Sequence, residues 1–130
     1  VIKKRNSPEA DIQIAVADYL KLNYPKIFIT ASVAGIKMPM LLMKKLKRMG
    51  YTPGTYDLFI GTARHGYFGL FLEAKFGKND LSDNQKNVKE LLENENYKCD
   101  AFWSVDEALQ IIDNYMKGKK TKDMIKEEIE

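Results

Sequence analysis

Two apolar stretches of this 130-residue chain carry charge where charge is unexpected. Tyr56-Asp57-Leu58-Phe59-Ile60 holds a carboxylate, and the stretch from Tyr67 to Lys75 ends in an acid and a base, Glu73 and Lys75. Both are rich in aromatic and aliphatic residues and read as strands of a buried sheet. Side chains two apart on a strand share a face, so Glu73 and Lys75 project together while Ala74 faces away. Ionisable groups at the heart of a small sheet are costly unless paired or bound to a metal. Two carboxylates with one ammonium suit metal-assisted hydrolysis of a phosphodiester. There a divalent cation neutralises developing charge and makes water a better nucleophile, while a fixed cation helps position that water. On this reading Asp57, Glu73 and the Ala74 backbone carbonyl offer oxygens to Mg²⁺ or Mn²⁺, and Lys75 assists the nucleophile. The structural alternative is a cross-strand ion pair of Asp57 or Glu73 with Lys75.

The rest of the composition agrees with oxygen-ligand chemistry. The chain has one cysteine, Cys99, and one histidine, His65, which excludes an internal disulfide and a Cys/His zinc cage. Its length suits one domain with one hydrophobic core, expected over about residues 7–117, between a basic arm at 1–6 and a charged tail at 118–130. No apolar run approaches the roughly 20 residues of a membrane span, and no signal-peptide pattern opens the chain, so a cytoplasmic setting is expected. The net charge is only +3, but residues 1–66 hold 11 Lys/Arg against 4 Asp/Glu and residues 67–130 hold 10 against 14. One basic and one acidic half suit a protein that meets a polyanion with one surface.

The elements that must position these groups follow in order. Ser7-Pro8-Glu9 opens a helix to about Asn23, with Ser7 as N-cap and Ile12, Val16, Tyr19 and Leu20 as its apolar stripe. Glu9 there compensates the helix dipole, and Glu9 and Gln13 both fall beside that stripe. Residues 27–31 read as a strand, and Met40 to Met49 as a helix with Lys44, Lys45, Lys47 and Arg48 on its polar side. Those cations are candidates for phosphate contact, with Lys37 and Lys78 in neighbouring loops. A hairpin over Gly61–Gly66 joins the two charged strands. Ser82-x-x-Gln85 reads as a capping box opening a helix to Asn94, with Val88, Leu91 and Leu92 toward the core. Lys98 to Trp103 is a further strand, and Ser104-x-x-Glu107 caps the helix after it. His65 reads as a solvated turn residue, Trp103 as core and Cys99 as a small buried hydrophobe. The tail from Thr121 to Glu130 offers at most a short helix with little to bury. The sum is an α/β sandwich with a mixed central sheet flanked by helices.

In the order Asp57…Glu73-Ala74-Lys75, with fifteen residues between the acids, the charged trio resembles the Asp…Glu-x-Lys signature of the restriction-endonuclease-like nucleases. More of the chain is similar to one branch, the VRR-NUC (virus-type replication-repair nuclease) domain. That branch has an acid on its first helix, as at Glu9. It also has Gly-x-Pro-Asp before the first catalytic strand, then Glu-x-Lys, then Ser-x-x-Gln. The chain offers Gly54-Thr55-Tyr56-Asp57, Glu73-Ala74-Lys75 and Ser82-Asp83-Asn84-Gln85. Tyr56 stands where the family usually has proline, which puts the stiffness of the approach to Asp57 in question rather than the chemistry. The resemblance spans roughly Pro8 to Tyr115.

The resemblance implies a restriction-endonuclease-like fold and a Mg²⁺- or Mn²⁺-dependent endonuclease acting on DNA. Asp57, Glu73 and the Ala74 carbonyl would bind metal, with Glu9 linked to the metal or a water. Lys75 would serve catalysis, and Gln85 would hold a water or Lys75. Family members with little beyond this domain resemble phage enzymes acting on branched DNA, which implies a Holliday-junction resolvase in DNA repair or recombination, working as a homodimer. A flap or nicking endonuclease is the rival within the class. A non-catalytic DNA-binding module is the rival outside it.

Overall fold

The structure, a computed structural model, describes residues 7–130, and the basic arm expected at 1–6 lies outside the described residues. Helix α1 (Pro8–Asn23) starts as its residues dictate: the Ser7 hydroxyl accepts from the Ala10 N–H at 3.1 Å, and Pro8 occupies the first turn. Then come β1 (Ile29–Ala31), α2 (Met40–Arg48), β2 (Leu58–Ile60), β3 (Leu70–Ala74), α3 (Asp83–Asn94), β4 (Lys98–Phe102), α4 (Val105–Met116) and α5 (Thr121–Ile129). The four strands form one mixed sheet in the order β1-β2-β3-β4. The pairs β1–β2 and β2–β3 are antiparallel; β3–β4 is parallel, the crossover being supplied by α3.

The sheet has two unlike faces. Leu58 and Ile60 of β2, Leu70, Leu72 and Ala74 of β3, and Phe102 of β4 meet Val16 and Leu20 of α1 and Ala108, Ile112 and Tyr115 of α4 in the main core. The Tyr19 and Tyr24 hydroxyls both donate to the Asp113 carboxylate, at 2.9 and 2.7 Å, which ties α1 to α4. The opposite face carries Phe59 and Phe71, with ring centroids 4.6 Å apart, and Tyr56 and Tyr97 edge-on to Phe71. Glu73 is two residues on from Phe71, so it belongs to this second face. Helix α3 lies there, its Lys89 and Glu93 close enough to act on the thiol of the buried Cys99.

Several elements differ from the sequence reading. The strands are shorter: Asp57 precedes β2 rather than lying inside it. Its carbonyl still accepts from Ser32 N–H at 2.9 Å, one step beyond the Ala31–Leu58 pair, but its N–H turns to the Glu73 carboxylate, so the ladder ends at the site. Leu91 is 65% exposed, and α3 buries no residue fully, because it covers only one edge of the sheet. Trp103 is outside the core: it lies at the surface, and its indole N–H donates to the Asn79 carbonyl at 2.8 Å. The Ser104 hydroxyl caps Glu107 N–H, but the Glu107 carboxylate accepts from Trp103 N–H instead of closing the box. The tail forms the short helix α5, but it is anchored where little burial was expected: Thr121 is buried and its hydroxyl donates to Tyr67 O. His65 is exposed in the hairpin as expected, though its ring also reaches the Asn114 carbonyl at 3.1 Å.

Candidate active site

At the carboxyl end of β3, Asp57, Glu73, Lys75 and Gln85 form one hydrogen-bonded cluster. Asp57 and Glu73 are 5% and 4% exposed, and Lys75 is 8% exposed. The antiparallel register that pairs Leu58 with Leu72 brings the two acids opposite each other. Asp57 Oδ2 accepts from Ala74 N–H at 2.9 Å, and Glu73 Oε1 accepts from Asp57 N–H at 3.2 Å. In extended backbone the N–H and C=O of one residue leave by the same edge, so the Ala74 carbonyl is directed to the Asp57 side. The Lys75 N–H, one residue on, donates the other way, to Phe102 O in the β4 direction.

Gln85 reaches the cluster from the first turn of α3. Its Oε1 accepts from Ser82 N–H at 2.9 Å and from Lys75 Nζ at 2.8 Å, and its Nε2 donates to Glu73 Oε2 at 2.7 Å. The capping role and the site role are filled by the same amide, so they are not alternatives. The neighbours also dictate which way round the amide sits. Reversed, it would set N–H donors against an ammonium and an oxygen against a carboxylate. Lys75 Nζ also stands 3.7 Å from Glu73 Oε2, an ion pair with little access to water. The simple cross-strand pair is therefore present, but it is one part of a larger network.

Gly54 explains the glycine of the Gly-x-x-Asp segment. Its φ is +92°, and a Cβ there would stand 2.4 Å from the Asn84 carbonyl carbon and oxygen and 2.8 Å from Gln85 N. The turn before Asp57 thus lies directly on the backbone that presents Gln85. Gly54→Ala is expected to cost about 2–4 kcal/mol from strain and overpacking together, read as a lower denaturant midpoint with an unchanged slope. At Tyr56 the proline of the family is replaced by burial. The ring is almost fully enclosed beside Phe71, and the Tyr56 carbonyl accepts from the Ser32 hydroxyl at 2.7 Å.

Charge balance in the cluster is unfinished. Burial pushes the Glu73 carboxyl up to about 7, and the neighbouring Asp57 charge pushes it further than Lys75 pulls it back. Burial also raises Asp57, against the Ala74 N–H that lowers it, and the Glu9 charge adds to the rise. The folded chain therefore binds the Glu73 proton more tightly than the unfolded chain does. Its contribution to stability is greatest in acid and is lost as pH rises from about 4.5, the ordinary value, through about 7. In EDTA, thermal melting should fall between pH 5 and 8, and fall less steeply for Glu73→Gln; equal slopes would remove the burial penalty.

A divalent cation fits this donor set. Among the described residues no third carboxylate, histidine or cysteine joins the pair in a metal-holding group, so further oxygens would come from the Ala74 carbonyl, water and substrate, as Mg²⁺ accepts. Asp57 Oδ1 has no hydrogen-bond donor among the described residues. It borders a small open space that a Cβ on Gly35 would enter, 3.4 Å from Asp57 Oδ1 and 3.4 Å from Gln13 Oε1. Glu9 is at the margin, half-buried on α1, with Oε1 accepting from Asn79 Nδ2 at 3.3 Å. The candidate phosphate contacts Lys37, Lys44, Lys45, Lys47, Arg48 and Lys78 are all exposed, and four of them stand on α2, which buries none of its residues. Sequence reasoning missed Ser32, which clamps the backbone on both sides of Asp57, and Tyr51, whose phenol is raised by burial and by the charges of Asp57 and Glu73. Neither residue carries a local signal, since each acts through a partner distant in sequence.

No protein-family model and no curated protein sequence matches the chain. A solved structure described as a "VRR_NUC domain protein" does, with a TM-score of 0.69 and 28% identity over 87% of this chain and 91% of that one. This likeness supports a VRR-NUC domain in the chain. Its mixed sheet and flanking helices are consistent with the VRR-NUC nuclease fold, and the likeness supports a nuclease-type domain. No helix among the described residues is long and apolar enough to cross a membrane.

Proposed function

We propose that this VRR-NUC domain is a Mg²⁺- or Mn²⁺-dependent endonuclease that hydrolyses DNA phosphodiesters, with a four-way junction as its preferred substrate. The observation that carries the reading is the buried pair Asp57 and Glu73, sharing a single ammonium and edged by the Ala74 carbonyl. A divalent cation held by Asp57, Glu73 and the Ala74 carbonyl would supply Lewis-acid stabilisation of the phosphoryl group. Lys75, fixed by the Gln85 amide oxygen, orients the attacking water and steadies charge as it develops on the phosphate. Gln85 holds Glu73 and Lys75 at a set separation, and Glu9, with Asn79, holds water at the margin. The exposed cations of α2, with Lys37 and Lys78, contact phosphates on either side of the cut.

A symmetric junction needs two cuts, which a homodimer with two sites provides. The test incubates the domain with labelled four-way junction, flap and linear duplex in Mg²⁺, Mn²⁺ or EDTA. Paired symmetric nicks in the junction support resolution, whereas cuts only at the flap would replace it by flap cleavage. Cleavage that survives EDTA would sink the mechanism. Binding without cleavage in either metal would make the domain a DNA-binding module.

A further inference from the structure

A second concave surface lies at the other end of β2. Lys26 after α1, Arg64 in the β2–β3 hairpin, and Lys120 and Lys122 at the start of α5 line one groove, with no Asp or Glu in its walls. Among the described residues none of the four cations is in an ion pair. The segments that carry them are tied together. Arg64 bridges to Lys120, and Thr121 N–H donates to Ala63 O at 3.3 Å.

The same groove contains an aromatic ring that is held in place yet open. Phe28 is 63% exposed, and its carbonyl accepts from Gly61 N–H at 2.9 Å. A Cβ on Gly61 would stand 3.3 Å from Phe28 Cδ2, so the missing side chain is what lets the ring lie against this backbone. Leaving a fixed phenyl ring in water has no packing benefit, and four unpaired cations around it repel one another. Both costs are relieved by one ligand class: a polyanion that also offers flat apolar faces. That describes single-stranded nucleic acid, whose backbone follows a basic groove while its bases stack on aromatic rings. Base faces in a continuous duplex are already stacked and offer nothing to Phe28.

We propose that this groove binds a single-stranded segment of nucleic acid, with Phe28 as the base-stacking platform and Lys26, Arg64, Lys120 and Lys122 on the phosphates. Asp57 precedes β2 and Gly61 follows it, so the groove stands on the order of 15 Å from the carboxylates, at about 3.3 Å per strand residue. It rests on the metal-dependent nuclease reading but not on the four-way junction: an occupied groove favours a flap, or other branched DNA with an unpaired strand close to the scissile bond, over a fully paired junction.

The test measures binding apart from cleavage: fluorescence anisotropy of a labelled oligothymidylate in EDTA, across a salt series, with the intact chain. Phe28→Ala should weaken binding about tenfold without changing the salt slope. Lys26→Ala with Lys122→Ala should weaken it and lower the log–log salt slope by about 0.7 per lost contact. Wild-type affinity in all these variants would overturn the proposal. Equal losses for heparin and oligothymidylate, with Phe28→Ala silent, would overturn it in favour of a general polyanion surface. Losses seen only with anionic vesicles would overturn it in favour of a membrane. If the variants lose oligothymidylate while the wild type cleaves no substrate in any metal, the groove stands and the nuclease reading falls.

Discussion

Asp57→Asn and Glu73→Gln are each expected to lower the cleavage rate about 1,000-fold or more, and to remove the thermal shift that Mn²⁺ gives the wild type. Asp57→Asn keeps the shape and the oxygen that accepts from Ala74 N–H, so the fold should persist. Glu73→Gln also turns one of two accepting oxygens into a donor facing Asp57 N–H or Gln85 Nε2, so its melting temperature in EDTA is read beside its cleavage rate. The reason lies in what each carboxylate already does. Asp57 uses one oxygen to accept from Ala74 N–H, which leaves Oδ1 for a cation. Glu73 uses its oxygens for Asp57 N–H and Gln85 Nε2, yet its burial beside Asp57 leaves the pair one positive charge short of neutrality even with Lys75. An asparagine or a glutamine ends that shortage and with it the reason to bind a divalent ion. Retained cleavage with a lost Mn²⁺ shift would separate metal binding from catalysis and refute the proposed site.

Gln85→Glu is the second large effect, and it distinguishes capping from positioning. Glutamate is as good as glutamine at the third position of a capping box, so the start of α3 should survive. What changes is the contact with Glu73. An amide N–H that donates at 2.7 Å is replaced by a carboxylate oxygen, and a third negative charge enters the cluster. We expect a 10- to 100-fold fall in kcat with KM little changed, the range for partners that orient ligating groups. Gln85→Ala should lose the cap as well, with a melting temperature lower than that of Gln85→Glu. A Gln85→Glu protein with wild-type kcat would reduce Gln85 to a helix cap.

The sequence by itself was sufficient for the α/β class, for the order of the first eight elements and for the residues brought together at the site. That information is local. Strand alternation puts Glu73 and Lys75 on one face, and the turn residues before Asp57 and the Ser82 cap mark where elements begin. The VRR-NUC resemblance rested on the same local motifs, and the structural likeness agrees with it. Three-dimensional packing decided the rest. Leu91 and Trp103 are apolar at core-like positions but face water, because the neighbouring layer does not extend over them. The helical tail docks through Thr121, a polar residue whose hydroxyl finds a carbonyl distant in sequence. Ser32, Gly35 and Tyr51 approach the carboxylates only once the sheet has formed. Above all, the amide of Gln85 serves the cap and the site together, since hydrogen-bond partners from β3 and α3 converge on it only in the folded chain.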